Sequence, residues 1–315
     1  MATFASTGDL TEKNVTFEEI GRDLYAFTAE GDPNSGIIVG DDGVMVIDAQ
    51  ATPVMARDVI DRVRKVTDKP ITHVLLTHYH AVRVLGASAY NAKAILASDA
   101  TRDLIVERGK QDMDSEIGRF PRLFRAQESI PGLTWPTITF PGELTVWLGK
   151  REVKIRHLGR GHTAGDVVAY VPDANVVFSG DLVEYHSACY CGDAHLQDWP
   201  QTLGKLAELG AQALVPGRGA ALKSAAQVQD GIKLTRAFLS DLYQSVAPVA
   251  QKGGSLKDAW HAARTAMDTK YASFAIYEHC MPFNVSRAYD EAKGIEHPVI
   301  WTAERDREMW SALQS

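Results

Sequence analysis

The segment Ile71-Thr72-His73-Val74-Leu75-Leu76-Thr77-His78-Tyr79-His80-Ala81-Val82-Arg83 decides how this chain is read. Its first part is a short apolar, β-branched run, which predicts a buried strand over 71–78. The strand ends at a histidine, and open α/β sheets place their sites at the carboxyl ends of strands. Residues two apart on an extended segment point to one side. His78 and His80 therefore present two imidazoles together, an arrangement suited to a metal that takes nitrogen ligands. A single His-x-His among ten histidines is weak evidence on its own. Two surface histidines in a loop would look the same, so the surrounding sequence has to decide.

Working outward, residues 23–28 and 36–48 read as strands, the latter turning at Asp41-Asp42-Gly43, a hairpin signal. Val54, Val59, Ile60 and Val63 lie at helical spacing in 54–66, and 101–117 reads as a charged helix. The stretch 118–136, with three prolines and two glycines, predicts a long loop or lid. Short strands return over 137–180. After Pro216-Gly217 the pattern becomes helical over 224–248 and 255–268, interrupted at Gly253-Gly254. Further helical stretches cover 284–293 and 303–313. The chain thus divides into an α/β domain over 1–222 and a helical C-terminal extension over 223–315. That extension is expected to pack on the core or on a second copy of the chain in a homodimer.

Two more segments carry chemistry. Gly159-Arg160-Gly161-His162-Thr163-Ala164-Gly165-Asp166 is a glycine-rich turn that fixes the backbone around His162. Val176-Val177-Phe178-Ser179-Gly180-Asp181 is an apolar strand that ends in a carboxylate. Taken singly, Asp181 reads as a helix cap as readily as a metal ligand.

Composition sets the limits. The 315 residues hold 33 Lys plus Arg against 40 Asp plus Glu, a net charge of −7. A mildly acidic chain gives no global electrostatic reason to bind nucleic acid or an anionic membrane. No apolar run approaches the length of a membrane span. The first fourteen residues lack the basic and apolar regions of a signal peptide. The three cysteines, Cys189, Cys191 and Cys280, are too few and odd in number for an oxidised framework. A cytoplasmic protein is the expectation.

Taken in order, Thr77-His78-x-His80, then Gly161-His162-Thr163, then Ser179-Gly180-Asp181, then Pro216-Gly217-Arg218-Gly219 resembles the metallo-β-lactamase-fold superfamily. The opening hairpin, Asn34 to Ala49, fits as well, and the resemblance covers roughly 17–222. It implies an α/β, four-layer αββα sandwich with a metal site at one edge of two sheets. It implies metal ligands at His78, His80 and His162, with Asp181 as a fourth ligand or a nearby acceptor.

The departures from the family pattern all fall on one site. The family's His-x-His-x-Asp-His reads here His78-Tyr79-His80-Ala81-Val82-Arg83, and its last motif histidine is Arg218. In the family those three positions serve the second metal. One metal site is therefore expected to survive and the second to be lost. Arg83 and Arg218 are expected to project into the lost site and pair with Asp181, since a guanidinium has no lone pair to ligate with.

The resulting expectation is a metallohydrolase with one divalent metal, zinc first and iron as the alternative. It would cleave an ester-, thioester- or amide-like bond of a small anionic substrate, with Asp181, Arg83 and Arg218 as catalytic residues. Val82 cannot accept a proton, which sets this chain apart from hydrolysis in the usual family manner. A mononuclear iron dioxygenase acting on a sulfur compound, through His78, His162 and Asp181, is a second reading. A non-catalytic ligand-binding or assembly protein that holds no metal is a third. In the loop 184–195, His186, Cys189, Cys191 and His195 read mainly as packing. Asp198-Trp199 reads as a helix start, and Asn284 or Ser286 as a helix cap.

Overall fold

The computed structural model describes residues 4–314. Two sheets face each other, and helices cover both outer faces. The first sheet has seven strands in chain order: β1 (Thr16–Gly21), β2 (Leu24–Ala29), β3 (Asp32–Val39), β4 (Val44–Ile47), β5 (Ile71–Leu75), β6 (Ala94–Ser98) and β7 (Ile138–Phe140). Its first four strands pair antiparallel and the rest parallel. The second sheet has the order β12-β11-β10-β9-β8. These strands are β8 (Glu143–Leu148), β9 (Arg151–Arg156), β10 (Val168–Val171), β11 (Val176–Phe178) and β12 (Ala213–Val215).

Alternation along each strand builds the layers. In β4, Met45 and Ile47 enter the core between the sheets, while Val44 and Val46 face the helices outside. In β11, Val176 and Phe178 face the other sheet, and Val177 faces outward. Helix α1 (Pro53–Val63), capped by Thr52, buries Met55, Ala56, Val59 and Val63 on the outside of the first sheet. Helix α2 is one turn, Ala81–Val84, and α3 runs Asp99–Arg119. The stretch after α3 contains two 3-10 turns and no strand, as its prolines predict.

Helix α4 (Trp199–Glu208) starts where Asp198-Trp199 predicted, and the Trp199 indole donates to the carbonyl of Leu182 at 3.0 Å. Four helices follow: α5 (Ala225–Gln251), α6 (Leu256–Tyr271), α7 (Tyr277–Ala292) and α8 (Ala303–Gln314). One apolar cluster runs from Val168, Val177 and Leu214 of the second sheet to Leu242, Met267 and Phe283 of these helices. The helical extension therefore packs on its own chain's sandwich. Helix α7 begins at Tyr277, seven residues before the predicted start, and Asn284 and Ser286 lie inside it rather than at a cap. Asn284 instead ties down the loop below, accepting from the Cys191 amide at 2.7 Å and donating to the Cys189 carbonyl at 2.7 Å. Among the described residues no helix is long and apolar enough to cross a membrane.

Phe178 holds the two sheets together and has 1% of its surface exposed. Phe178→Ala should cost about 3–5 kcal/mol by lost burial and a residual cavity. Urea unfolding would read this as a lower midpoint with an unchanged slope.

Candidate metal centre

The site lies at the sheet edge where β4, β5, β11 and β12 end. Asp48, just beyond β4, adopts φ 60° and accepts two hydrogen bonds from Thr77, from the amide at 2.9 Å and from Oγ1 at 2.9 Å. Having donated its one hydroxyl proton to Asp48, Thr77 Oγ1 accepts from His78 Nδ1, also 2.9 Å away. His78 Nε2 is thereby left with its lone pair facing inward. It is buried and has no hydrogen-bond partner.

The other two rings are held by the same device. The Tyr190 carbonyl accepts from His162 Nδ1 at 2.9 Å, turning His162 Nε2 inward. His80 Nε2 donates to Asp193 Oδ2 at 3.3 Å, turning His80 Nδ1 inward, 2.9 Å from His162 Nε2. Asp193 is itself fixed, because Arg108 Nη1 donates to its Oδ1 at 2.9 Å. The three rings stand edge to face, with centroids 4.6–4.9 Å apart.

Among the described residues, His78, His80 and His162 are the group close enough to hold a metal, with one ligand atom from each within 4.8 Å of the others. Three converging imidazole nitrogens, one of them buried and unpartnered, with every outer nitrogen engaged, fit a divalent metal that prefers nitrogen donors.

Burial alone would make all three imidazoles harder to charge. It pushes His78 well below its ordinary value and His162 down to about 3. For His80 the hydrogen bond to Asp193 and the Asp112 and Asp193 carboxylates outweigh burial, raising it to about 9.

Asp181 sits beside the triad, its Oδ2 3.7 Å from His78 Nε2 and 3.5 Å from His162 Nε2. Its Oδ1 accepts from Arg83 Nη2. Burial is the largest influence and pushes this carboxyl up, but the surrounding cationic groups together outweigh it, the Arg83 guanidinium foremost. Asp181 is held well below the usual carboxylate range. Arg83 is fully buried. It also donates to the carbonyls of Asn34 at 2.9 Å and Gly217 at 2.8 Å. Asp48 Oδ2 is 4.0 Å from it. Burial raises Asp48 to about 6, against the pull of Arg83.

Two glycines let the chain approach this closely. A Cβ on Gly217 would stand 2.1 Å from Asp181 Oδ1, and Gly180 holds φ +51° against Thr77.

Arg218 differs from expectation. Arg83 reaches Asp181, but the ion-pair partner of Arg218 is Glu184, with Nε 3.8 Å from Oε1. The backbone explains the difference. Gly217 fills the space against Asp181, and an isolated bridge between Glu184 and Arg218 carries the next side chain to Glu184. Val82 is buried and offers no donor atom.

The chain belongs to the metallo-beta-lactamase superfamily. The family's sequence profile matches residues 28–218, which cover the first three site segments and the fourth as far as Arg218. The chain is 28% identical over 191 residues to metallo-beta-lactamase IND-1 of Chryseobacterium indologenes, 58% of this chain and 70% of that one. It is 21% identical over 254 residues to a linear primary-alkylsulfatase of a Pseudomonas species, 69% of this chain but 47% of that one. Among solved structures, the metallo-beta-lactamase from Pontibacter korlensis superposes with a TM-score of 0.58 at 20% identity. The match covers 72% of this chain and all of that one. That likeness establishes the fold.

A narrow cleft of about 20 Å³ opens onto this superfamily site. Beside His80, His162, Asp181 and Arg218 it is lined by Glu116, Arg119, Phe120 and Leu123 from α3 and the segment after it, and by Ile276 and His279 from the helical extension. The sequence gives little signal for these added residues, because they come from elements far apart in the chain. Asp193 lies inside the loop 184–195, where its partnership with His80 depends on folding. Tyr190 of the same loop supports His162 through its carbonyl, while His186, Cys189, Cys191 and His195 stay out of the triad. Cys189 and Cys191 are buried, and burial pushes their thiols well above the ordinary value. His186 packs against Tyr185 and Phe274.

Asp193→Asn would keep the shape but remove the charge that orients His80. It should weaken zinc binding about 10–100-fold with the fold retained. Competition with a chromophoric chelator, beside circular dichroism, measures both.

Proposed function

We propose that this chain is a metallohydrolase with a single metal, cleaving an ester-, thioester- or amide-like bond of a small anionic substrate. The observation that supports a single metal is Arg83, which occupies the space beside Asp181 and donates from Nη1 and Nη2 to Asp181, Asn34 and Gly217. A guanidinium there supplies positive charge to a buried carboxylate and excludes a second cation by repulsion. A divalent ion on His78, His80 and His162, zinc first and iron as the alternative, would supply Lewis acidity and a water able to lose its proton near neutral pH.

The remaining work falls to the chain's own groups. Asp181 presents Oδ2 toward the inner nitrogens, as a fourth ligand or as an acceptor that orients the attacking water. Arg83 keeps it ionised, and for the same reason it is a poor base. The proton acceptor that Val82 cannot provide has a neighbour in Glu116, which lines the cleft and accepts from the Val82 amide at 3.2 Å. Arg218, also in the lining, is placed to stabilise an oxyanion. An anionic substrate agrees with these guanidiniums, and the alkylsulfatase relative acts, by its name, on an anionic ester. Three unpaired, buried cysteines support a cytoplasmic setting.

Elemental analysis of the purified chain should find about one zinc or iron, and chelation should abolish hydrolysis in a panel of esters, thioesters and amides. Iron with oxygen consumption would favour the dioxygenase chemistry instead. No metal after incubation with Zn(II) and Fe(II), or chelator-insensitive hydrolysis, would overturn the proposal. His78→Ala with His162→Ala should cut bound metal below a tenth. Val82→Asp, Arg83→His and Arg218→His together should raise it toward two.

Arg83→Met leaves Asp181 buried and unpaired, and should cost about 3–5 kcal/mol of stability. Adding Asp181→Asn should restore most of that loss, as read by urea unfolding of both variants.

A further inference from the structure

We propose that Phe120, Ile276 and His279 form a latched door that selects by size what reaches the metal centre. The inference rests on the hydrolase reading only for calling what enters a substrate. The cleft beside the triad holds about 20 Å³, room for a water molecule and too little for an ester, thioester or amide. A second, more open hollow of about 200 Å³ adjoins it, with Ser6, Asp9, Phe274 and Tyr277 among its walls. The two cavities share three residues, Phe120, Ile276 and His279. Phe120 follows the last residue of α3, Ile276 precedes α7, and His279 lies in the first turn of α7. These side chains stand between the triad and a space large enough for a small organic molecule.

A single hydroxyl holds the door shut. Ser6, in the turn Ala5–Gly8, donates its one proton to the Arg119 carbonyl at 2.6 Å. Its oxygen is then left to accept from His279 Nδ1. Buried Ser6 thereby ties the end of α3 to the start of α7. Burial keeps the His279 ring uncharged, with Arg119 and Arg218 adding to the effect. The ring lies against Phe120, with centroids 5.0 Å apart. The turn is anchored on either side of Ser6, by Phe4 stacked on Phe283 at 5.4 Å and by Arg122 Nε donating to the Asp9 carbonyl at 3.1 Å. The contact with His279 can therefore break while the turn stays attached. The hinge side is strained. Ile276 holds φ +55°, an unfavourable conformation for a β-branched residue that persists because packing imposes it. Once Ser6 lets go of His279, relaxation of this joint favours opening, and the cleft and the hollow become one space.

Thiol labelling of the full-length chain, freed of metal by chelation, tests this without any hydrolysis. Val82→Cys puts a thiol in the lining of the cleft, and buried Cys189 and Cys191 report any general loosening of the fold. The probes are methyl methanethiosulfonate and the bulkier benzyl methanethiosulfonate, with labelled sites assigned by peptide mass. With the latch intact, the methyl reagent should label the introduced thiol about tenfold faster than the benzyl one, because close-packed walls exclude the larger group. Adding Ser6→Ala removes one hydrogen bond and should speed benzyl labelling about fivefold, with Cys189 and Cys191 still unlabelled. Should Val82→Cys fail to fold, Leu123→Cys, also in the lining, gives the same readout. Equal rates for the two reagents, no labelling of the introduced thiol by either, or a benzyl rate unchanged by Ser6→Ala would each overturn the door. So would labelling of Cys189 and Cys191 in step with the introduced thiol. The expected labelling pattern beside an absence of hydrolysis across the substrate panel would sink the hydrolase reading alone.

Discussion

The buried ion pair between Arg83 and Asp181 is the constraint around which the rest of the site is arranged. A carboxylate this deep, beside three imidazoles, has to be compensated or it takes up a proton. The guanidinium meets that need from the strand end that also bears His78 and His80. It then draws in the carbonyls of Asn34 and Gly217, which come from β3 and from the turn after β12. One side chain thus ties four strand ends together. Gly217 is part of the same solution, because any Cβ there would strike the Asp181 carboxylate.

Around that pair the imidazoles are oriented from outside. Thr77 with Asp48, the Tyr190 carbonyl, and Asp193 with Arg108 each hold one outer nitrogen, so all three inner nitrogens converge. The supports come from three parts of the chain: the β4 end, the loop 184–195 and helix α3. Preorganised donors lower the ordering that metal binding would otherwise require. The helical extension completes the surroundings by pressing Ile276 and His279 against the segment that follows α3. The extension contributes a wall of the cleft as well as burying the second sheet.

Much of this was legible in the linear sequence, where the physics is local. The run 71–78 read as a strand for its apolar, β-branched residues; the strand is Ile71–Leu75, and Leu76-Thr77-His78 lead out of it into the site. The turn at Asp41-Asp42-Gly43 and the break at Gly253-Gly254 appear where expected, because glycine governs local backbone conformation. Strand β12 and the early start of α7 were not legible. Ala213–Val215 is too short to show a period, and Tyr277 to Phe283 carry mixed residues around Pro282 that tertiary packing holds helical.

The order of histidine and aspartate motifs, with Val82, Arg83 and Arg218 at altered positions, was determined by the sequence alone. Ligand identity is a property of residue type, and a valine or guanidinium cannot donate a lone pair in any fold. The tertiary structure decided which arginine meets Asp181 and which meets Glu184, because that depends on where the backbone passes at Gly217. It also brought Asp193, Arg108, Ile276 and His279 to the site. Asp193 lies 113 residues from His80 and 85 from Arg108 along the chain, and such pairing is fixed only when sheet edges, loop and helices close on one another.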